Sequence, residues 1–249
     1  MSMCKFYRLF LLLIMALVMP SVFAEVNTHV ILWDEYIELR DSMYNSEYTA
    51  DGLLPLYDKA VASAKEHFSD DALLLALSRC EYIMGRAYSY EENKDEAGNR
   101  YDAGDAYAEQ ALDIRETATA HLMRGENISQ NCSVKPVSYA LSHGTKVGGL
   151  AKKVLKLDEN YGAAMYLQTA QHIYAPSPFH NHKKGIREMQ EILDDASVRL
   201  EKDDVFNLTS AIGYGYMQRK ELDSAREWFL KALEVYPGNK YVQSLLKDL

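Results

Sequence analysis

FNLTSAIGYGYMQRKELDSAREWFLKALEVYP occupies residues 206–237. Its small and large residues fall where a tight helical hairpin needs them. Gly213 and Ala225 are small at the positions where two helices would cross, so the backbones can approach closely. Tyr216 and Phe229 supply rings that wedge into the neighbouring turn, and Ile212 and Ala232 extend the apolar seam at helical spacing. Pro237 closes the unit, because proline cannot continue a helix. The spacing predicts helices over 204–219 and 222–235.

Working outward, helical periodicity recurs and strand signals are nearly absent. Apolar residues at Leu53, Leu56, Tyr57, Ala60, Val61, Ala64 and Phe68 follow an i, i+3, i+4 series. Further helices are predicted over 34–44, from Asp70 and Asp71 to about Tyr90, and over 101–114, 117–128, 137–157, 160–174, 183–200 and 241–249. Carboxylates suit the first turn of a helix, where the dipole is positive. Polar or proline-bearing stretches at 91–98, 129–136 and 175–182 read as long loops, which in a compact helical protein often carry function. Glycines at 144, 148 and 149 are expected to interrupt the helix at 137–157.

The unit at 206–237 resembles the tetratricopeptide repeat, whose period is roughly 34 residues. Thr209 is the one departure, where a bulkier apolar residue is usual. The resemblance implies an all-α array of tetratricopeptide-like α-α hairpins, a short superhelical solenoid of about ten helices spanning residues 25–249. In such repeats the inner helix of each hairpin lines the concave surface. That assigns Asn207, Ser210, Tyr214, Met217 and Gln218 to a groove, joined from the preceding unit by Tyr166, Ile173 and Tyr174. Tyrosines combine apolar faces with hydroxyl donors, which suits peptides or amphipathic anions. The alternative is that these rings only pack between hairpins.

The start of the chain reads as an export signal. Lys5 and Arg8 precede an unbroken apolar run from Leu9 to Met19, and Val22-Phe23-Ala24 offers a cleavage site after Ala24. The run is shorter than the roughly 20 residues that span a bilayer. The formal charge of −9 becomes −11 once two cations, Lys5 and Arg8, are removed. A chain this acidic does not attract nucleic acid, whose binding relies on Lys and Arg displacing counterions. Cys80 and Cys132 remain after cleavage, either as a disulfide or as two thiols.

Signals for chemistry are sparse. The loop at 175–182 presents Phe179, His180 and His182 as candidate residues. Two histidines one residue apart can share a zinc ion, and His172 lies eight residues upstream, but structural zinc needs four ligands and catalytic zinc usually three plus water, and no second ligand cluster is present. A polar loop is the alternative, and no metal or cofactor is expected. No nucleophile elbow or phosphate loop is present, so the chain is read as not an enzyme. Asp194-Asp195 and Asp203-Asp204 read as solvated helix ends, since adjacent residues point to different faces. Sequons at Asn127, Asn131 and Asn207 read as chance matches.

Three further segments, Tyr107 to Ile114, Leu155 to Tyr161 and Tyr174-Ala175-Pro176 to Gly185, resemble the T component associated with TRAP transporters. In that family degenerate tetratricopeptide-like hairpins are exported. Glu159 stands where the family has proline, and His180-Asn181-His182 replaces its glycine-rich loop. The resemblance covers about residues 55–240. It implies a periplasmic helper of solute import that docks an extracytoplasmic solute-binding protein, holds a small organic anion in a channel and forms homo-oligomers. The alternative is a general envelope scaffold that grips peptides or other envelope proteins in its groove.

Overall fold

Residues 202–237 form the predicted hairpin for reasons visible atom by atom. A computed structural model describes residues 31–249; the leader assigned to 1–24 lies outside the described residues. The first helix of the hairpin, Lys202–Gln218, opens on a reciprocal cap. Its N-cap Glu201 side chain accepts a backbone bond while Asp204 Oδ2 accepts from the Glu201 N–H at 2.9 Å. The second, Leu222–Val235, has the bounds the periodicity predicts. A Cβ on Gly213 would stand 2.6 Å from the Phe229 ring, so only glycine permits this crossing. Ala225, Phe229 and Ala232 are buried in the seam.

The described residues contain eleven α-helices in succession: α1 (Asp34–Tyr44), α2 (Leu54–His67), α3 (Asp70–Tyr90), α4 (Lys94–Ile114), α5 (Ala118–Val134), α6 (Val137–Leu157), α7 (Gly162–Tyr174), α8 (His182–Asp194), α9 (Lys202–Gln218), α10 (Leu222–Val235) and α11 (Lys240–Lys247). Each odd-numbered helix from α1 to α9 pairs with the one that follows, and successive odd-numbered helices also touch. The result is an all-α hairpin array. None of the described helices is long and apolar enough to cross a membrane.

The array curls until its ends meet, with α1 set between α3 and α9. Tyr44 packs edge-on against Phe206 at 5.2 Å and stacks on Tyr236 at 4.8 Å. Each such ring pair adds about 1 kcal/mol beyond the area it buries. Asn239 caps α11 by accepting from the Val242 N–H, and its amide donates to the Tyr44 carbonyl at 2.7 Å. The C-terminal helix is thereby tied to the end of α1.

The expected long loops are mostly helix. Asn93 caps α4, so only residues 91–93 separate it from α3. α5 runs through 129–134, because Asn127 and Asn131 find partners inside the array instead of breaking the helix. Asn127 donates to the Met123 carbonyl at 2.8 Å, and Asn131 donates to Asp102 at 3.0 Å. α6 is continuous past Gly144, Gly148 and Gly149, each of which faces open space. Glycine there costs about 1 kcal/mol of helix propensity but breaks nothing. α8 stops at Asp194, short of the predicted 200, because Arg199 pairs with Tyr161 in an isolated parallel bridge. Cys80 and Cys132 are both free.

Candidate binding groove

The odd-numbered helices turn a shared face toward the interior of the array. On α3 that face carries Arg79, Tyr82, Arg86 and Tyr90, and on α1 it carries Tyr36, Arg40 and Tyr44. These follow helical spacing, but the stripe is aromatic and cationic instead of aliphatic. α5 contributes Glu126, α7 Tyr166 and Tyr174, and α9 Asp203, Asn207 and Tyr214. Tyr36, Arg79, Glu126 and Asp203 form a floor, and the C-terminal ends of α3 and α7 bring Tyr90 and Tyr174 to a mouth.

The floor is a buried ionic cluster. The Arg79 guanidinium grips Glu201 with two parallel bonds of 3.0 and 2.9 Å. Arg40 donates to both Glu201 and Asp203 at 3.2 Å. The Tyr36 ring lies under Arg79, 4.6 Å from ring centroid to guanidinium carbon. Glu126 and Asp204 complete the lining of a cavity of about 10 Å³, barely room for one water. Two guanidiniums therefore face four carboxylates. Charge in a low-dielectric interior is costly, so protonation relieves the excess. Burial pushes the Glu126 carboxyl up to about 8. Burial, reinforced by Asp203 and Glu201, holds Asp204 well above the usual carboxylate range. Asp203 is raised too, by burial and by Glu201, against the pull of Arg40 and Arg79.

Arg86 sits above the floor in different company. Its guanidinium carbon lies 5.3 Å from the Tyr44 ring centroid, 5.9 Å from Tyr82 and 5.3 Å from Tyr90. It donates to the Tyr90 hydroxyl at 2.6 Å, and at 3.4 Å to both the Tyr82 hydroxyl and Asn207 Oδ1. The Asn207 amide donates in turn to the Tyr44 hydroxyl at 3.4 Å. All these partners are neutral.

The mouth is a ring of tyrosines. Tyr174 packs on Tyr214 at 5.5 Å, and Tyr90 stacks on Tyr241 of α11 at 5.8 Å. Tyr174 is 50% exposed at this mouth.

The predicted groove residues divide. Tyr166, Tyr174, Asn207 and Tyr214 lie along it, with Tyr166 interacting with the Tyr174 hydroxyl. Ile173 does not. It is 1% exposed and fills the space beside Gly185 and Gly215, wedging α7 against α8 and α9. One residue further round α7, the side chain has turned about 100° away from Tyr174. Ser210 is half-buried and donates to its own helix at the Asn207 carbonyl. Met217 is half-buried and packs against the core, and Gln218 is exposed at the end of α9. In the 175–182 loop Phe179 is exposed, and the His180 and His182 rings stack at 4.3 Å. His182 Nε2 lies 3.2 Å from the Ile173 carbonyl, so the loop is pinned to the end of α7. Among the described residues no three His, Cys, Asp or Glu side chains converge as metal ligands.

Sequence reasoning missed Arg40, Arg79, Arg86, Glu126 and Glu201, and it misjudged Asp203-Asp204, both of which are buried. The signal that could have found them is the alternation of Tyr and Arg at helical spacing on α1 and α3. The three sequon asparagines are buried as well. A larger cleft of about 760 Å³ lies among α6, α7 and α8. Its charges are partly paired among themselves, with Glu188 3.6 Å from His172 and 3.7 Å from Lys184.

No protein-family model matches this chain, and no curated protein matches it as a relative.

Proposed function

We propose that this chain is a non-enzymatic binding and adaptor protein of the cell envelope, a tetratricopeptide-like helper of TRAP-type solute import. In this role it is periplasmic, docks an extracytoplasmic solute-binding protein, and holds a small organic acid in its groove. The observation that carries the proposal is the tyrosine-lined groove with Arg86 in its wall. Flat rings offer apolar contact, hydroxyls offer directional bonds, and one guanidinium offers charge, which together match an amphipathic anion. The hairpin array itself supports docking, because stacked hairpins present a continuous side surface to a partner.

The test is recovery of a partner. The full chain, immobilised and washed with periplasmic extract, is expected to retain a solute-binding protein identifiable by mass spectrometry. Retention of unrelated envelope proteins alone would count against the transport role and favour a general scaffold.

A further inference from the structure

We propose that Arg86 anchors a single carboxylate, so that the groove selects monocarboxylates with an apolar body over dicarboxylates of equal length. This rests on the groove being a ligand site and names what that site takes.

The three arginines of the interior are not equivalent. Arg40 and Arg79 have Glu201 and Asp203 within ion-pair distance. Among the described residues no carboxylate comes within such a distance of Arg86, whose hydrogen bonds go to Tyr82, Tyr90 and Asn207. Its Nε, itself buried, has no hydrogen-bond partner. Taking a guanidinium out of water without a counter-ion is costly. Ring faces recover part of that cost. A carboxylate recovers more, because it accepts two parallel bonds from the guanidinium fork.

The surroundings of Arg86 limit the ligand to one anionic group. Toward the floor, Arg40 and Arg79 are already paired with Glu201 and Asp203, so a second carboxylate finds no free cation there, and burying it unpaired is costly. Toward the mouth it would meet tyrosine rings. The cation whose charge bears on the Tyr166, Tyr174 and Tyr241 hydroxyls is Arg86 itself. An apolar body is at home there. Tyr166 and Tyr174 are two turns apart on α7, a span of about 12 Å along the axis, comparable to the length of an eight-carbon acid. The half-exposed Tyr174 and the 44% exposed Tyr241 leave the mouth open for entry.

Calorimetric titration of the full chain at pH 7.5 with octanoate, suberate and octanol tests this directly. Octanoate is expected to bind; octanol should bind at least about tenfold more weakly, the least that losing one charge-assisted contact produces, and suberate at least about tenfold more weakly because its second carboxylate is desolvated without a partner. Arg86→Gln is expected to bring octanoate down to the level of octanol. Should that variant not fold by circular dichroism, the three-ligand comparison on the unaltered chain still decides the matter. Tyr174→Ala, at the open mouth, should weaken octanoate while preserving its preference over suberate. Equal affinity for octanoate and suberate, or full octanoate affinity in Arg86→Gln, overturns the assignment while leaving the groove a ligand site. Failure of all three to bind overturns both.

Discussion

Glu126 offers a quantitative handle on the groove floor. Burial raises its carboxyl from 4.5 to about 8 in the folded chain. The folded state therefore holds a proton that the unfolded state releases. For a carboxyl with a raised folded pKa, stability is highest below 4.5 and declines as pH rises toward 8, beyond which the loss is complete. Each unit of difference is worth about 1.4 kcal/mol, and between pH 6 and 8 this one group should cost about 2 kcal/mol. Glu126→Gln keeps the shape of the neutral acid and removes the ionisation. The difference in unfolding free energy between variant and unaltered chain should then grow, in favour of the variant, by about 2 kcal/mol from pH 6 to pH 8. Urea denaturation of both proteins at half-unit pH steps measures it, and taking the difference cancels groups that titrate alike in the two. A difference that stays constant across the range would mean that Glu126 ionises near its ordinary value in the fold. The account of the floor as a carboxylate-rich, desolvated cluster would then be wrong.

Other perturbations probe the remaining joints. Glu201→Gln leaves Arg79 buried without its bidentate partner and should cost about 3–5 kcal/mol in urea unfolding; a loss below about 1 kcal/mol, the scale of an exposed pair, would contradict the burial described. Gly213→Ala places a methyl 2.6 Å from Phe229 and should lower stability by about 1–3 kcal/mol, seen as a reduced melting temperature. Asn239→Ala removes both the α11 cap and the bond to the Tyr44 carbonyl, for a loss of about 2 kcal/mol and faster proteolysis of residues 240–249. Burial pushes the Cys80 thiol well above its ordinary value, so it should resist alkylation in the native protein and react once urea unfolds it.

The hairpin at 206–237 was legible because its determinants are local. Gly213, Ala225 and Phe229 meet within one hairpin, and helix spacing alone brings them together. Tyr166, Tyr174 and Tyr214 were legible for a related reason, since a repeating inner face can be counted along the chain. The floor was not. Arg40 and Glu201 are 161 residues apart, and Asp203-Asp204 looks like any acidic first turn until Arg40 and Arg79 are seen to cover it. Asn131 misled because asparagine usually marks a turn. Here a long-range partner, Asp102, holds it inside α5. Tertiary bonds of this kind override local preference and leave no periodic trace.

The same distinction bears on what the groove can hold. α1 reads weakly as an amphipathic helix, because its inner face is Tyr36, Arg40 and Tyr44 and not a row of aliphatic residues. Yet α1 is the element that walls the groove between α3 and α9. Tyr36 and Tyr44 lie under arginines of α3, while Arg40 and Tyr44 engage Asp203 and Phe206 of α9. An extended peptide laid along the inner helices would need that seam opened. Opening it would separate Arg40 from Glu201 and Asp203 and would unstack Tyr44 from Tyr236. A small acid entering past Tyr174 and Tyr241 needs none of this. The ion pairs that make the floor hard to read from sequence are thus also what favours a small ligand over a peptide in the groove.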